Sequence, residues 1–599
     1  MKKQFPIKYT SKDFDNIKAD LVNYAKRYYS ENFRDFGDTS FVSLMLDSTA
    51  YVGDILSFYA DYQTNETFLN TALEQKNINE IARQLGYRNK STSTSSGSVA
   101  VYLLLPSNAT GTAPDFDYAP VIKKGTIFSA AGGAKFILVD DVNVNQTNAN
   151  YVVANVDNNT GNPTFWAVKV YGRVISGIFG EQLVNVGNFT PFLRVTLNNN
   201  TIAEIISVTD SEGNEYFEVD YLTQNVVYRS FLNTNSDSSE TPNTLIPYVA
   251  ARRFVVEYLP NAIFLRFGNG QYAPEDDLRP DLLAEPSKGF LEMYASDFST
   301  KTFLDANQLV KNDKLGIAPE NTTLTIRYRY NDVLNTNVAA EQLGNIDTLL
   351  LEFKNQPLLN ANLLASVRQS FQITNEEPIV GSTSQESVEE LKNRILSNFN
   401  SQGRIVTIQD YEGACYNLPP KYGSVKRVKA FKDLDSLRNN VNLYVLSEDS
   451  AGNFVKTNNT TKENLKVWLN KNRVLTDSVD LMDAKIINLG INYSIMIDPN
   501  YIAADVLSRA NAQLIDFYSF KPHIGQSFYI TDIYRELRKI SGVLDVKDVE
   551  VALKTGQNYS GIYFDVDANA SNDGRYIIIP KNAAFEIKFL TTDIIGNVV

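Results

Sequence analysis

The stretch FVSLMLDSTAYVGDILSFYADY, residues 41–62, shows a regular apolar spacing. One set of apolar residues recurs alternately three and four positions apart, with the polar Ser48 at one position of the series. The set is Phe41, Leu44, Tyr51, Ile55, Phe58 and Tyr62. This spacing places the side chains on one narrow stripe of an α-helix. A narrow stripe is typical of helices that pair along their length, so we predict an interface with a partner helix at Tyr51, Ile55, Phe58 and Tyr62.

The neighbouring segments show the same period. Upstream, Thr10 and Asp13 form a capping-box-like start, and the apolar positions that follow are Phe14, Ile17, Leu21, Tyr24 and Tyr28. Downstream, Ile78, Ile81 and Leu85 precede Gly86, a residue that commonly ends helices. We therefore predict that residues 1–95 are an N-terminal helical region that forms a bundle with partner helices.

The composition changes at STSTSSGS, residues 91–98, which by its serine and threonine content is typical of a linker. The chain then predicts a β-rich middle domain, residues 96–345, because short β-forming runs are separated by Asn, Gly and Pro clusters. These runs are residues 98–105, 125–129, 135–139, 166–171 and 254–258.

Helical and strand patterns alternate after residue 345, which predicts two-layer α+β modules at residues 346–485 and 486–599. The predicted helices are residues 385–399, 408–418, 462–471, 503–518 and 531–540, and the predicted strands are residues 424–431, 441–447, 484–497 and 543–551. The predicted fold class is therefore a multidomain α+β protein.

Charge and composition narrow the classes of partner. The 599 residues carry a formal net charge of -13, which argues against nucleic acid and against an anionic membrane surface. The apolar run from Val99 to Leu105 is too short to span a bilayer, and the N-terminus lacks the apolar core of a signal peptide. One cysteine excludes an intrachain disulfide. We expect a chain made in a cytoplasm, with no nucleic-acid or membrane partner.

The residues that catalysis most often uses are scarce. His523 is the single histidine, so a zinc site with two histidines is impossible, and its turn-like surroundings favour a surface role. Cys415 lies in a predicted helix capped by Thr407 and Asp410, which favours a small core residue. Residues 268–273, GNGQYA, fit a dinucleotide motif, but the acidic stretch 274–277 follows where a phosphate would bind, which favours a β-turn. We predict no catalytic, cofactor-binding or metal-binding residues; a carboxylate pair of the glycosidase type stays open.

A basic cluster stands out against the acidic chain, at Lys421, Lys426, Arg427, Lys429 and Lys432. Charge runs on strands are usually a solvated face. The alternative is recognition of an acidic patch on a protein partner, which another copy of this chain would supply. Under that alternative Lys426, Arg427 and Lys429 are interface residues.

Several ordered phrases resemble the baseplate wedge and J-like family of contractile-tailed bacteriophages. Residues 36–88, with FLNTA at 68–72 and LGYR at 85–88, are similar to the N-terminal region of wedge proteins. FGNG at 267–270 is similar to the family's FGDG turn, with Asn269 in place of Asp, and residues 325–340 are similar to the strand that follows. Residues 373–419 resemble the J-like pattern, with Gly403-Arg404, Val406-Thr407 and Asp410-Tyr411-Glu412. Residues 524–543 resemble the closing module.

The resemblance implies a structural role and no enzymatic activity. Wedge proteins of this type assemble with other wedge subunits and with their own copies into a ring around a hub, next to the tail tube and sheath. The ring rearranges when the sheath contracts. The location implied is the tail baseplate of the virion, after assembly in the host cytoplasm. The alternatives are a baseplate component of a related contractile injection system (a tailocin or a type VI secretion system), a tail-associated glycosidase, and a carbohydrate-binding fibre module.

The absence of a catalytic set generates the first prediction. If no side chain performs chemistry, replacing His523 with alanine and Cys415 with serine leaves particle assembly and infectivity near the wild-type level. Plaque counts and electron microscopy of the variant particles measure both. Loss of infectivity with correctly assembled baseplates would show an active function in one of the two residues.

Overall fold

The computed structural model describes residues 13–29, 40–87, 93–108, 110–145, 149–157, 161–233, 243–259, 262–271, 315–354, 356–383, 387–433, 435–436 and 439–599. The chain divides into two compact units. The first unit combines residues 1–89 with residues 386–399, and the second combines residues 90–385 with residues 400–599.

Nine helices are described, three in the N-terminal region and six between residues 361 and 538. They are α1 (Phe14–Tyr28), α2 (Phe41–Glu66), α3 (Gln75–Gln84), α4 (Ala361–Gln369), α5 (Val388–Ser401), α6 (Ile408–Tyr416), α7 (Asn459–Asn472), α8 (Ala503–Ser519) and α9 (Ile530–Arg538).

Strands fill the middle of the chain and alternate with helices towards its end. The first group is β1 (Ser96–Pro106), β2 (Val121–Ile122), β3 (Ile127–Ala130), β4 (Lys135–Leu138), β5 (Val142–Asn143), β6 (Asn150–Val156), β7 (Pro163–Ser176), β8 (Ile178–Val186), β9 (Arg194–Leu197) and β10 (Ile202–Thr209). The second group is β11 (Glu215–Glu218), β12 (Val226–Leu232), β13 (Asn243–Val249), β14 (Arg253–Leu259), β15 (Ala262–Phe267), β16 (Thr322–Tyr330), β17 (Leu343–Thr348), β18 (Leu351–Glu352) and β19 (Gln372–Thr374). The third group is β20 (Arg427–Lys432), β21 (Asn440–Glu448), β22 (Phe454–Val455), β23 (Ser478–Asp483), β24 (Lys485–Ile497), β25 (Phe528–Tyr529), β26 (Val543–Leu553), β27 (Tyr576–Ile577), β28 (Ala583–Glu586) and β29 (Ile594–Val598).

In the first unit, α1 packs against α2. The ammonium of Lys18 lies 2.7 Å from a carboxylate oxygen of Asp47, and a Cβ atom at Gly53 would lie 3.4 Å from the side chain of Ile17. Helices α1 and α2 therefore pair within the chain, and the predicted pairing of α2 with a partner helix stays a prediction. A small core joins α3 to α5 through Ile78, Ala82, Tyr87 and Ile395, together with Leu69 and Ala72.

The β-rich part of the second unit contains two seven-stranded sheets. In the first, the strand order is β17-β3-β4-β7-β1-β19, with β6 paired to β7, and β1 pairs antiparallel with β7 along its whole length. In the second, the order is β8-β16-β10-β11-β14-β15-β9. Strands β12 and β13 form a separate ribbon, and β18, β2 and β5 form a small sheet.

Two α+β modules complete the second unit. In the first, α6 and α7 contribute Cys415, Leu465 and Leu469 to a core shared with β20, β21 and β23. In the second, α8 and α9 share a core with β24, which pairs with β26, β28 and β29. The fold class is therefore multidomain α+β, with helices at the N-terminus, a β-rich middle and α+β modules at the end, as predicted.

The domain boundaries differ from the prediction at two places. The boundary at residue 345 cuts the first sheet, because β17 pairs with β3 and β19 pairs with β1. Residues 386–399, predicted as part of the module 346–485, belong to the first unit, since Ile395 is buried with residues of α3. Local periodicity finds a helix such as α5 but does not show which core the helix joins.

The linker prediction for residues 91–98 is wrong for the part that the structure describes, residues 93–98. The side chains of Thr94, Ser95 and Ser96 are buried, and β1 begins at Ser96. The Ser95 hydroxyl lies 2.7 Å from the Thr336 hydroxyl and 2.7 Å from Asn337 Oδ1, and the Thr94 hydroxyl donates to the backbone oxygen of Pro420 at 2.8 Å. Serine and threonine are typical of solvated linkers, but here distant segments supply the hydrogen-bond partners that water would otherwise supply.

A buried carboxylate organises the turn after α2. Glu66 accepts hydrogen bonds from the backbone nitrogens of Leu73 and Glu74, at 2.8 and 3.2 Å, and from the Asn77 side chain at 2.9 Å. The bond from Asn77, followed by the bond from Leu73, lowers the pKa of this carboxyl. The ionised form of Glu66 therefore holds the start of α3 against the end of α2.

The depressed pKa of Glu66 makes the stability of the first unit dependent on pH. A folded pKa below the unfolded value contributes stability above the unfolded pKa, and this contribution is lost as the pH falls through the folded pKa. We expect Glu66→Gln to lower the melting temperature at pH 7, because an amide cannot accept all three hydrogen bonds. The difference from the wild type should shrink as the pH falls below about 4, near the usual carboxyl range. Thermal melts of the full chain followed by circular dichroism test this, and a difference that does not change with pH would contradict it.

Candidate interaction surfaces

The predicted stripe on α2 is exposed in the chain. Tyr51 is 60% exposed, Phe58 64% and Tyr62 37%, and Ile55 is half-buried. The rings of Phe58 and Tyr62 stack with centroids 6.2 Å apart, so the two side chains form a continuous apolar surface. Aromatic side chains of this size are the usual anchors of protein interfaces.

A second apolar stripe on α2 was missed in the sequence prediction. Met45, Val52, Leu56 and Tyr59 are also exposed, and Met45, Val52 and Tyr59 recur every seven residues. The exposed apolar surface is therefore wider than the narrow seam predicted. The heptad of these three residues was visible in the sequence, and it would have indicated contacts on two sides of the helix.

The charges of α2 are all negative. Asp47, Asp54 and Asp61 recur every seven residues, and the helix contains no lysine or arginine. Asp47 pairs with Lys18 of α1. A surface that combines apolar stripes with regularly spaced carboxylates fits a partner that carries apolar residues flanked by Lys or Arg.

Helix α2 also has the length and composition of a membrane span. It has 26 residues, most of them are apolar or uncharged, and little of the helix is buried. The sequence argument from Val99–Leu105 overlooked this helix. An aspartate at the centre of a bilayer costs about 2.5–3.5 kcal/mol, and α2 places an aspartate at every second turn, which favours a protein partner over a lipid environment.

The basic cluster on β20 is largely engaged inside the chain. Lys426 is buried and lies 3.1 Å from Glu448, and Arg427 is buried and donates from Nη2 to the backbone oxygen of Lys521 at 2.5 Å. Lys429, which is partly exposed, lies 3.0 Å from Glu412. The partner role of Lys426, Arg427 and Lys429 stays a prediction, and in this chain the first two side chains are hidden from a partner.

The candidate chemical residues lie apart from one another in the fold. Cys415 is buried in the core of its module, and this burial raises the pKa of its thiol, as expected of a core cysteine. Because a serine there would bury a hydroxyl, alanine is the more conservative substitution. His523 is exposed, and its backbone nitrogen donates to Gln526 at 2.8 Å. Among the described residues, no group of three or more His, Cys, Asp or Glu side chains is placed to hold a metal ion.

The glycine motif after β15 is a close backbone crossing. A Cβ atom at Gly268 would lie 1.9 Å from the backbone oxygen of Gly316, so only glycine fits. Gly270 pairs with Ile317 in a parallel β-bridge, and its nitrogen donates to Gly316 at 2.9 Å. The predicted acidic turn at residues 274–277 lies outside the described residues. The described part of the motif is used for strand pairing.

Comparison with known proteins adds one family match. Residues 15–84 match the family model described as the N-terminal domain of bacteriophage baseplate protein. No curated protein matches the chain. A chain of the anti-feeding prophage baseplate, solved by cryo-electron microscopy, is 10% identical, with 95% of this chain and 90% of that chain covered and a TM-score of 0.26. A chain of the type VI secretion system TssK-TssF-TssG baseplate subcomplex is 8% identical, with 74% and 96% covered and a TM-score of 0.23.

Neither TM-score reaches the level at which a shared fold follows. The family match stands by itself, and it covers α2 and α3 and nearly all of α1. The exposed apolar stripes of α2 therefore lie within a segment that is similar to the N-terminal domain of bacteriophage baseplate proteins, and this match supports a structural place for the chain in a baseplate.

Proposed function

We propose that this chain is a structural component of the baseplate wedge of a contractile phage tail. In this role it assembles with other wedge subunits and with its own copies into the ring around the hub, beside the tube and sheath. It takes part in the rearrangement that triggers sheath contraction, and it acts without catalysis. The observation that carries the proposal is the exposed apolar surface of α2 within the segment that matches a baseplate family.

Exposure of this apolar surface to water costs free energy. Two stripes of large apolar side chains on one helix form an exposed patch of the kind that marks an interaction site in a soluble protein. Burial of such side chains yields about 25 cal/mol for each Å² removed from water. A second helical subunit that covers α2 would recover this free energy, so assembly and helix stability are coupled.

The negative charge of α2 also indicates which kind of partner helix would bind there. The carboxylate of Asp54 lies beside the stripes, and it favours a partner helix with Lys or Arg at the flank of its own apolar seam. Two identical α2 helices would bring acidic residues close together, which favours a different wedge subunit at this surface.

The docking proposal predicts a loss of assembly on substitution of the exposed stripe. Tyr51→Asp with Phe58→Asp should abolish co-purification of the chain with the other baseplate proteins of its own particle, co-expressed in one cell. Each anchor of this type contributes about 2 kcal/mol or more at an interface, so even Phe58→Ala should weaken binding by about thirtyfold. Because both side chains are exposed, the monomer should stay folded by circular dichroism.

A matched control separates lost apolar contact from added charge. Gln75→Asp with Gln84→Asp adds the same two negative charges at exposed polar positions of α3 and should leave co-purification unchanged. Normal co-purification of the Tyr51/Phe58 variant, or collapse of its fold, would contradict the proposed use of the stripe as an interface.

The proposed ring also requires contacts between copies of this chain. A closed ring made from pairs of identical subunits needs two different contacts between copies. We expect the full chain to show concentration-dependent dimers in light scattering, weakened by salt if charges set the register. The full chain is preferable to a fragment of residues 381–599, because Thr94 and Ser96 bond to Pro420 and Thr461 across that cut. A strict monomer at high concentration would count against homotypic contacts.

A further inference from the structure

A lysine amine, an amide and a carboxylate meet at the junction of the two α+β modules. Lys521 follows α8, and its Nζ atom lies 2.9 Å from Oε1 of Glu586 and 3.5 Å from Oδ1 of Asn453. Glu586 ends β28, and Asn453 lies in the turn between β21 and β22. The amine of one module therefore sits beside the amide carbonyl of the other.

The three groups are held in place and shielded from water. Lys521 and Glu586 are 11% and 1% exposed, and Asn453 is buried. Glu586 accepts hydrogen bonds from the backbone nitrogen of Phe454 at 2.7 Å and from the Asn488 side chain at 3.1 Å. The Phe454 ring also lies against the amine, with its centroid 5.8 Å from Nζ.

The amide of Asn453 is held with its carbonyl oxygen towards Lys521. Its Nδ2 atom donates to Asp449 at 3.4 Å, and its backbone nitrogen donates to the same carboxylate at 2.8 Å. Attack requires Nζ to move from its hydrogen bond with Oδ1, at 3.5 Å, to about 3–3.5 Å from Cγ. A nucleophile that is confined beside its target in this way reacts with a large entropic advantage.

We propose that Lys521 and Asn453 form an intramolecular amide bond. Glu586 accepts a proton from the Lys521 ammonium, and the neutral Nζ attacks Cγ of Asn453. Glu586 gives this proton to Nδ2, and the bond between Cγ and Nδ2 breaks. The proton that Nζ loses on becoming an amide nitrogen passes through Glu586 to the departing ammonia. One ammonium and one carboxamide become one secondary amide and one ammonium ion, so no oxidant, cofactor or external reagent takes part.

The surroundings suit each part of this step. Lysine amines are effective nucleophiles once deprotonated, and a carboxylate within hydrogen-bond distance acts as the general base. A cavity of about 360 Å³, whose walls include Lys521, Gln526, Phe528 and Glu586, adjoins the site and gives ammonia a route to solvent. Glu586 acts as the catalytic residue because it touches the reacting amine.

The new bond would tie the two α+β modules together. It would join residues 68 positions apart, and so close a loop that includes α7, β23, β24 and α8. Arg427 crosses the same junction through its bonds to the backbone oxygens of Lys521 and Pro522, so the attacking lysine is fixed from the backbone as well.

The intact mass of the purified full chain tests the proposal. The wild type should weigh less than its sequence predicts by the mass of one ammonia molecule. A tryptic digest should contain a branched peptide in which Lys521 and Asn453 are joined, identified by tandem mass spectrometry. Lys521→Arg, Asn453→Ala and Glu586→Gln should each restore the full sequence mass for that variant. Lys462→Arg, at a lysine that pairs with Asp483 at 2.8 Å, should keep the deficit.

Two results overturn the proposal. A wild-type chain with its full sequence mass and linear peptides at both residues would show that Lys521 and Glu586 form only a buried ion pair. Ring closure of Asn453 on its own backbone would also release ammonia, but it would leave Lys521 in a linear peptide. The wild-type measurement decides by itself, so the outcome does not depend on whether the variants fold.

Discussion

The buried hydroxyl of Ser95 is the point on which the arrangement of the second unit depends. It bonds to Thr336 and Asn337, and the Ser95 backbone nitrogen donates to the Ser176 hydroxyl at 3.0 Å. A buried polar group without a partner costs about 1–3 kcal/mol, so each of these partners must be present in one geometry. Apolar residues tolerate several packings, whereas a hydrogen-bond network tolerates one. The network therefore fixes how the β-rich part meets the module that starts at residue 400.

In the first unit, apolar side chains are exposed and a polar one is buried. Its longest helix keeps large apolar side chains such as Tyr51 and Phe58 in water and buries the carboxylate of Glu66 instead. Glu66 secures the turn to α3, and the apolar stripes of α2 stay exposed. Polar bonds therefore set the internal geometry of the second unit, whereas the first unit exposes the apolar surface that we propose as its interface with a partner.

The spacing of apolar residues predicted most helices and strands, because the side chains that face a core repeat at short intervals along the sequence. The capping box of Thr407 and Asp410 and the core position of Cys415 follow from short-range patterns, and α6 confirms both. The partners of a side chain depend on residues far away in the sequence. The segment Thr94–Ser96 could not be recognised as buried, because its partners lie as much as 365 positions away. The same limit applies to α5, whose Ile395 joins a core built from the N-terminal helices.

The basic strand illustrates why charge alone did not identify a surface. Lys426 and Arg427 were candidates for a partner interface because another copy of this acidic chain would supply an acidic patch. Within the chain, Lys426 forms an ion pair with Glu448, and Arg427 donates hydrogen bonds to backbone oxygens of the segment after α8. Since the Arg427 bonds cross between the two α+β modules, a contact between copies that used Arg427 would have to break the junction first. Homotypic contacts in a ring are therefore better served by the outer faces of the modules, where charges such as Lys429 stay partly accessible and the junction is left intact.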